Sequence, residues 1–264
     1  MNTTLFNLAG RTAVITGAGS PNGIGYACAT MLAQMGARVY LTGASERVID
    51  RAKELGGQGF DAVASVADLT NTSQLLRLVG EITAHFGVVD ILVNNAGMTS
   101  IAESSIAALE SGSLANVTIS GFEKSLARNL TSVFALTQGL LPFIKGSVAG
   151  RIVIVSSLTG STMAMRNQVP YAVAKAGLIG LTKALALDEA EFGITVNAVA
   201  PGWIATGSAT VEELAEGDKT PMKRAGTAAE VASAIAWLCT LEASYLTGQT
   251  LIIDGGNSIA EERW

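Results

Sequence analysis

The chain has 264 residues, of which 49% are hydrophobic and only 15% charged, a balance that supports a large packed core and excludes disorder. Its net charge of −5, with no basic block, leaves no electrostatic footprint for nucleic acid. No apolar run approaches the roughly 18 residues of a membrane span, and Met1–Phe6 lacks the features of a signal peptide, so a cytoplasmic protein without a membrane partner is expected.

Short apolar runs alternate with helical patterns along the chain. Thr12–Thr16 reads as a buried strand, Ile24–Met35 as a helix ended by Gly36, and Arg38–Thr42 as a second strand. Glu46–Leu55 follows as a helix, Val63–Val66 as a weaker strand, and Asn71–Phe86 as a helix closed by Gly87. Asp90–Val93 is the fourth strand, and one long helix is predicted over Gly121–Lys145. Arg151–Val155 is apolar on both faces, as in the centre of a covered parallel sheet. A helix over Tyr171–Phe192, a strand at Thr195–Val199, a helix over Ala228–Thr240 and a strand at Thr250–Ile253 complete the series. This alternation implies an α/β fold with a parallel sheet between two helical layers. With no repeat and no Pro- or Ser-rich linker, residues 1–264 read as one domain. Two stretches, 98–120 and 207–226, look irregular, as binding loops and lids often do.

Chemistry concentrates at a few points. Strand one runs into Thr16-Gly17-Ala18-Gly19-Ser20-Pro21-Asn22-Gly23-Ile24-Gly25 and then a helix. Glycines there permit a sharp turn and let a pyrophosphate approach the helix N-terminus, so Gly17, Ser20, Asn22, Gly23, Ile24 and Gly25 are candidate cofactor contacts. Tyr171 and Lys175 are four residues apart at a helix start, hence on one face. Ser157 stands at a strand end, on the edge where such sheets bind ligands. A phenol titrates near 10, and acid–base work near neutrality needs a shift of about 3 units, or about 4 kcal/mol. A lysine cation about 4 Å away, at an effective dielectric near 20, supplies about that much. Cys28 and Cys239 form no Cys-x-x-Cys pair and read as packing residues, so no metal site is expected. His85, the only histidine, reads as a helix-end residue.

These motifs, with Asp68-Leu69, Asn94-Asn95-Ala96-Gly97, Asn129, Asn197 and Pro201-Gly202, together resemble the short-chain dehydrogenase/reductase family, from Leu8 to Asn257. The resemblance implies a Rossmann-type three-layer fold with a seven-stranded parallel sheet. It implies hydride transfer between a nicotinamide cofactor and a small-molecule ketone, 3-oxo ester or secondary alcohol. Tyr171 would be the general acid, Ser157 would orient the carbonyl, Lys175 would bind the nicotinamide ribose and lower the Tyr171 pKa, and Asn129 would hold a relay water. Asp68 and Leu69 would flank adenine, Asn95, Ala96 and Gly97 would line the cofactor, and Pro201, Gly202, Ile204 and Thr206 would lie along its nicotinamide end.

Two departures stand out. Five residues separate Gly17 from Gly23, a longer spacing than the family's usual loop, so Ser20-Pro21-Asn22 is expected to bulge. Ser157 precedes Tyr171 by one residue more than usual, which an insertion near Met163 accounts for, with Ser156 as the alternative. Enoyl-carrier-protein reductases also have a stretched loop, but the spacing of Tyr171 and Lys175 argues against that branch. NAD-preferring members carry an acid at the end of the second strand. Leu41-Thr42-Gly43-Ala44-Ser45 has none, and Ser45 and Arg47 could receive a 2′-phosphate, with Thr42 a further candidate cofactor contact, so NADP(H) is favoured over NAD(H), with Glu46 an adverse neighbour. Leu158, Met163, Met165 and Trp203 suggest an apolar substrate pocket. The nearest-looking members are 3-oxoacyl-carrier-protein reductases, whose basic docking positions read Val148 and Leu187 here. A dinucleotide-binding regulator without activity is the alternative of another class. The family commonly pairs the helices matching Gly121–Lys145 and Tyr171–Phe192 across a two-fold axis. The surplus apolar residues Ala174, Gly177, Leu178, Leu181, Leu185 and Leu187 point to the same faces, and a homotetramer is expected.

Overall fold

The computed structural model describes residues 5–97 and 110–261. Strands β1 (Thr12–Thr16), β2 (Arg38–Gly43), β3 (Ala62–Val66), β4 (Ile91–Asn94), β5 (Arg151–Val155), β6 (Thr195–Pro201) and β9 (Thr250–Ile253) form one parallel sheet in the order β3-β2-β1-β4-β5-β6-β9. A separate two-stranded ladder joins β7 (Ile204–Ala205) to β8 (Gly226–Thr227). The helices are α1 (Ile24–Gln34), α2 (Arg47–Gly57), α3 (Thr72–Phe86), α4 (Ile119–Leu126), α5 (Ser132–Ile144), the short α6 (Leu158–Ser161), α7 (Val169–Glu189), α8 (Val211–Gly217) and α9 (Ala228–Leu238).

The strands are apolar on both faces because both faces are covered. Ala13 and Ile15 of β1 pack with Cys28, Leu32 and Ile235 of α1 and α9. Val14, between them, points the other way, to Leu78, Leu136 and Leu178 of α3, α5 and α7. This alternation is the two-residue period of a strand. Both cysteines are free and fully buried, and burial pushes the Cys239 thiol up to about 12.

The predicted elements match in order and type, with three corrections. The helix expected over Gly121–Lys145 begins at Ile119 and is broken by a π-helical turn at Ala127–Thr131. Side chains compete for its backbone: Asn129 Nδ2 donates to Ser125 O at 3.1 Å and Ser132 Oγ to Arg128 O at 2.8 Å. The 207–226 stretch is not wholly irregular, since α8 lies within it. Of the 98–120 stretch, residues 98–109 fall outside the described residues. The surplus on α7 is also smaller than expected, because Ala174 and Leu178 are fully buried and Gly177 packs on Leu130.

Candidate active site

The C-terminal ends of β1, β4, β5 and β6 converge, and each delivers part of the site. After β1 the chain turns at Gly17, which has φ +68. A Cβ there would stand 2.8 Å from Asn95 Nδ2, and one at Gly25 would stand 2.6 Å from the same atom. Only glycine therefore lets the loop and α1 close on the segment after β4. Thr16 fastens that closure: its Oγ1 accepts from Asn95 N at 2.9 Å and Ala96 N at 2.8 Å. Asn95 Nδ2 returns a bond to Thr16 O at 2.9 Å. Asn95 thus holds the loop as well as facing the site.

The lengthened part of the loop is an ordered turn, with Gly23 N donating to Ser20 O at 3.1 Å. It leans toward Gly207, where a Cβ would meet Ser20 Oγ at 3.2 Å and Asn22 Cβ at 3.8 Å. Gly19 lies against Arg47 and Val48, and Gly43 at the end of β2 faces Gly19. Arg47 Nε donates to Ser45 Oγ at 3.3 Å. Thr42 must be corrected: its side chain is fully buried and its hydroxyl cannot reach a ligand. Asp68 stands exposed beyond β3 beside Leu69, its Oδ1 accepting from Thr70 N at 2.9 Å and Thr70 Oγ1 at 2.7 Å.

A cavity of about 300 Å³ opens at the ends of β5 and β6. It gathers Ser157, Tyr171 and Lys175 with Ile24, Asn95, Gly97, Leu158, Met163, Pro201, Gly202, Trp203, Ile204 and Thr206. Ser157 caps α6, its Oγ accepting from Thr159 N at 3.2 Å, and it is hydrogen-bonded to Tyr171. Ser156 serves the framework instead, since its buried Oγ donates to Lys175 O at 2.9 Å and ties β5 to α7. Pro170 in the first turn of α7 costs no hydrogen bond and sets Tyr171 and Lys175 on the cavity side. A Cβ on Gly97 would lie 3.0 Å from Asn129 Oδ1 and 3.7 Å from Lys175 Nζ. The π-helical turn thereby brings Asn129 alongside Lys175.

The electrostatics differ from the sequence expectation. Burial raises the Tyr171 phenol above its usual value, its bond with Ser157 opposes the shift, and the Glu213 carboxylate adds to it. Lys175 does not reverse this. Its Nζ donates to Val155 O at 2.9 Å, stands 5.5 Å from the centre of the Tyr171 ring, and is brought down to about 8 by burial. Gln168, Glu213 and Asn257 also line the cavity and were missed by sequence reasoning. The pattern Thr210-x-x-Glu213 is a helix-start signature that could have located α8 and its carboxylate. His85 lies elsewhere, between Tyr40 and Phe86.

Residues 17–258 match the family model described as enoyl-(acyl carrier protein) reductase. The 3-oxoacyl-[acyl-carrier-protein] reductase FabG of Vibrio cholerae is 38% identical over 254 residues, 95% of this chain and 98% of that protein. The chain is a short-chain dehydrogenase/reductase. The oxidoreductase UcpA of Salmonella typhimurium is 34% identical over 268 residues, covering 96% of this chain and 97% of that protein. A dehydrogenase/reductase from Sinorhizobium meliloti superposes with a TM-score of 0.86 at 31% identity over 97% of both chains. A candidate NAD(P)-dependent gluconate 5-dehydrogenase from Beutenbergia cavernae, solved with NADP at low occupancy, gives 0.85 at 35% identity, covering 97% of this chain and 99% of that one. The family makes the chain a nicotinamide-dependent oxidoreductase acting on CH–OH groups and the corresponding carbonyls. The glycine cradle at Gly17, Gly19 and Gly25 fits a dinucleotide, since any side chain there would fill the space or strike Asn95. Among the described residues, no helix is long and apolar enough to cross a membrane.

Proposed function

We propose that this enzyme is an NADP(H)-dependent ketoreductase acting on a small ketone or 3-oxo ester. The observation that carries this reading is the cavity joining Ser157, Tyr171 and Lys175 at the strand ends. When bound, the dinucleotide supplies the hydride in reduction and accepts it in oxidation. Ser157 Oγ binds and orients the carbonyl oxygen. Tyr171, kept protonated by its burial, gives its phenolic proton to that oxygen as the new C–H bond forms, leaving the alcohol. Lys175, as a cation close to the ring, stabilises the phenolate left behind and grips the nicotinamide ribose. Asn129, beside Lys175, holds the water through which Tyr171 is reprotonated.

NADP(H) is preferred because no carboxylate stands between Leu41 and Ser45, where it would repel a 2′-phosphate, while Arg47, bonded to Ser45, lies against Gly19. Absorbance of NADPH, followed against a panel of ketones and 3-oxo esters, tests the reading. Steady oxidation with at least one ketone, faster than with NADH, is the expected result. No turnover across the panel would leave the dinucleotide-binding regulator.

Reduction of 3-oxoacyl groups on a carrier protein is the second reading, favoured by relatives of that name at 38–39% identity. Against it, Val148 is fully exposed and uncharged where those reductases carry a basic docking residue. A preference for carrier-bound substrate over the free thioester distinguishes the two. The working assembly proposed is a homotetramer built on α5 and α7.

A further inference from the structure

Most of the cavity wall beyond the reacting groups is apolar, with Leu158, Met163, Met165 and Trp203. Polar side chains interrupt it, among them the acceptors Glu213 and Gln168. Glu213 reaches the cavity from α8, the only carboxylate in its described lining, and its charge is felt by the Tyr171 phenol. Its position is fixed locally: Oε2 accepts from Thr210 N at 3.0 Å while Thr210 Oγ1 accepts from Glu213 N at 3.2 Å. That box leaves Oε1 without a protein donor among the described residues. The helix itself is anchored, because Gly217 packs on Ala225, and Arg224 clamps Glu230 through two bonds of 2.9 and 2.6 Å at the base of β8. The second acceptor is Gln168, one turn before Tyr171, whose buried Oε1 has no hydrogen-bond partner among the described residues.

A buried acceptor left without a donor costs about 1–3 kcal/mol, so Gln168 Oε1 favours a ligand that brings a donor, and Glu213 Oε1, partly exposed at the same cavity, offers that ligand a second acceptor. Charge narrows the class further. The only cation in the described lining is Lys175, whose Nζ is already held by Val155 O. A carboxylate on the substrate would therefore meet Glu213 without a counter-charge.

Resting on the ketoreductase reading, we propose that Glu213, with Gln168, is a specificity-determining residue that accepts a hydrogen bond from a neutral donor on the substrate, beyond the reacting carbon. The substrate is then a hydroxylated ketone, or a 3-oxo thioester whose arm offers an amide N–H, and not a keto acid.

The experiment compares ketones of equal length ending in a hydroxyl, a methyl or a carboxylate, together with a 3-oxoacyl N-acetylcysteamine thioester. Turnover is read with NADPH. Calorimetry reads the affinity of the matching alcohols on the protein without cofactor, so binding is measured independently of chemistry. Wild-type protein is expected to favour the hydroxyl or amide ligand over the methyl ligand by about tenfold in kcat/KM and in affinity, and over the carboxylate by about a hundredfold. Whichever donor wins identifies its source. Glu213→Gln keeps an acceptor oxygen and the cap but removes the charge. It should retain the preference for hydroxyl over methyl and lose at least tenfold of the discrimination against carboxylate. A wild-type preference for the carboxylate, or ratios unmoved in Glu213→Gln, overturns the assignment. Loss of all turnover with the affinity order intact removes the ketoreductase reading and leaves the role of Glu213 standing.

Discussion

Tyr171 and Lys175 share one turn of α7, and burial favours the neutral form of both. The phenol rises above 10 and the amine falls to about 8. Tyr171→Phe keeps the ring and removes only the transferable proton, so kcat should fall at least a hundredfold with dinucleotide affinity nearly unchanged. Retention of more than a few per cent of wild-type turnover would exclude Tyr171 as the acid. Lys175 carries a stability cost whose sign follows from its shift. Below pH 8 the folded and unfolded chains both hold the ammonium, and the folded chain bears the full desolvation penalty. Between pH 8 and 10.5 the folded chain has shed a proton that the unfolded chain keeps, so the penalty declines as pH rises. The shift corresponds to about 3 kcal/mol, against which the bond to Val155 O returns about 1 kcal/mol. Lys175→Met is therefore expected to be inactive and more stable by about 1–2 kcal/mol at pH 7, an advantage that fades above pH 10. Denaturant melts at the two pH values check this; a variant less stable at pH 7 contradicts it.

At the scale of elements, sequence periodicity carried nearly all of the sheet, because strands buried on both faces read as unbroken apolar runs. Where it failed, side chains had redirected the backbone. Asn129 and Ser132 bond to helical carbonyls and open the π-helical turn, which an apolar period cannot register. Thr42 fits the strand pattern but its side chain lies inside the fold, so the position proposed to face the ribose is its neighbour Gly43. A Cβ on Gly43 would make only ordinary contacts, 3.6 Å from Val48 Cβ and 3.8 Å from Gly19 N. Gly43→Asp is thus expected to fold and to turn the preference from NADPH toward NADH by at least tenfold in kcat/KM; an unchanged ratio would show that the strand end does not face the 2′-position. The Tyr171–Lys175 pair was legible because a helix turn links the two residues. Thr210-x-x-Glu213 marks the start of α8 in the sequence, but that Glu213 reaches the cavity depends on how α8 docks, a tertiary matter. The clamp at Thr16 was equally hidden, since its partners lie 79 and 80 residues away. Thr16→Val removes the acceptor for two amide N–H groups and should cost about 2–4 kcal/mol, with a larger loss of dinucleotide affinity than of core stability. Thr16→Ser should restore both.

Across the whole molecule, the exposed apolar surface is uneven. Phe134 on α5 and Val173 and Leu187 on α7 are exposed, and Ala176, Gly180 and Ala184 continue the α7 stripe between them. Small residues between larger ones allow two helices to approach closely, and a stripe of this kind is rare on a monomer's surface. Sedimentation velocity at micromolar concentration should give a tetramer of 27.0 kDa subunits, and Phe134→Glu combined with Leu187→Glu should reduce it to dimers. A single 27.0 kDa species in the wild type would refute the assembly.

The bond from Thr16 to the segment after β4 also sets a clock. During synthesis the glycine-rich turn emerges 79 residues ahead of the Asn95 amide that fastens it. At about 5–20 residues per second, the nascent chain carries that turn unfastened for roughly 4–16 s. The first three strands can pair meanwhile, but the turn stays unfastened until the segment after the fourth has left the ribosome.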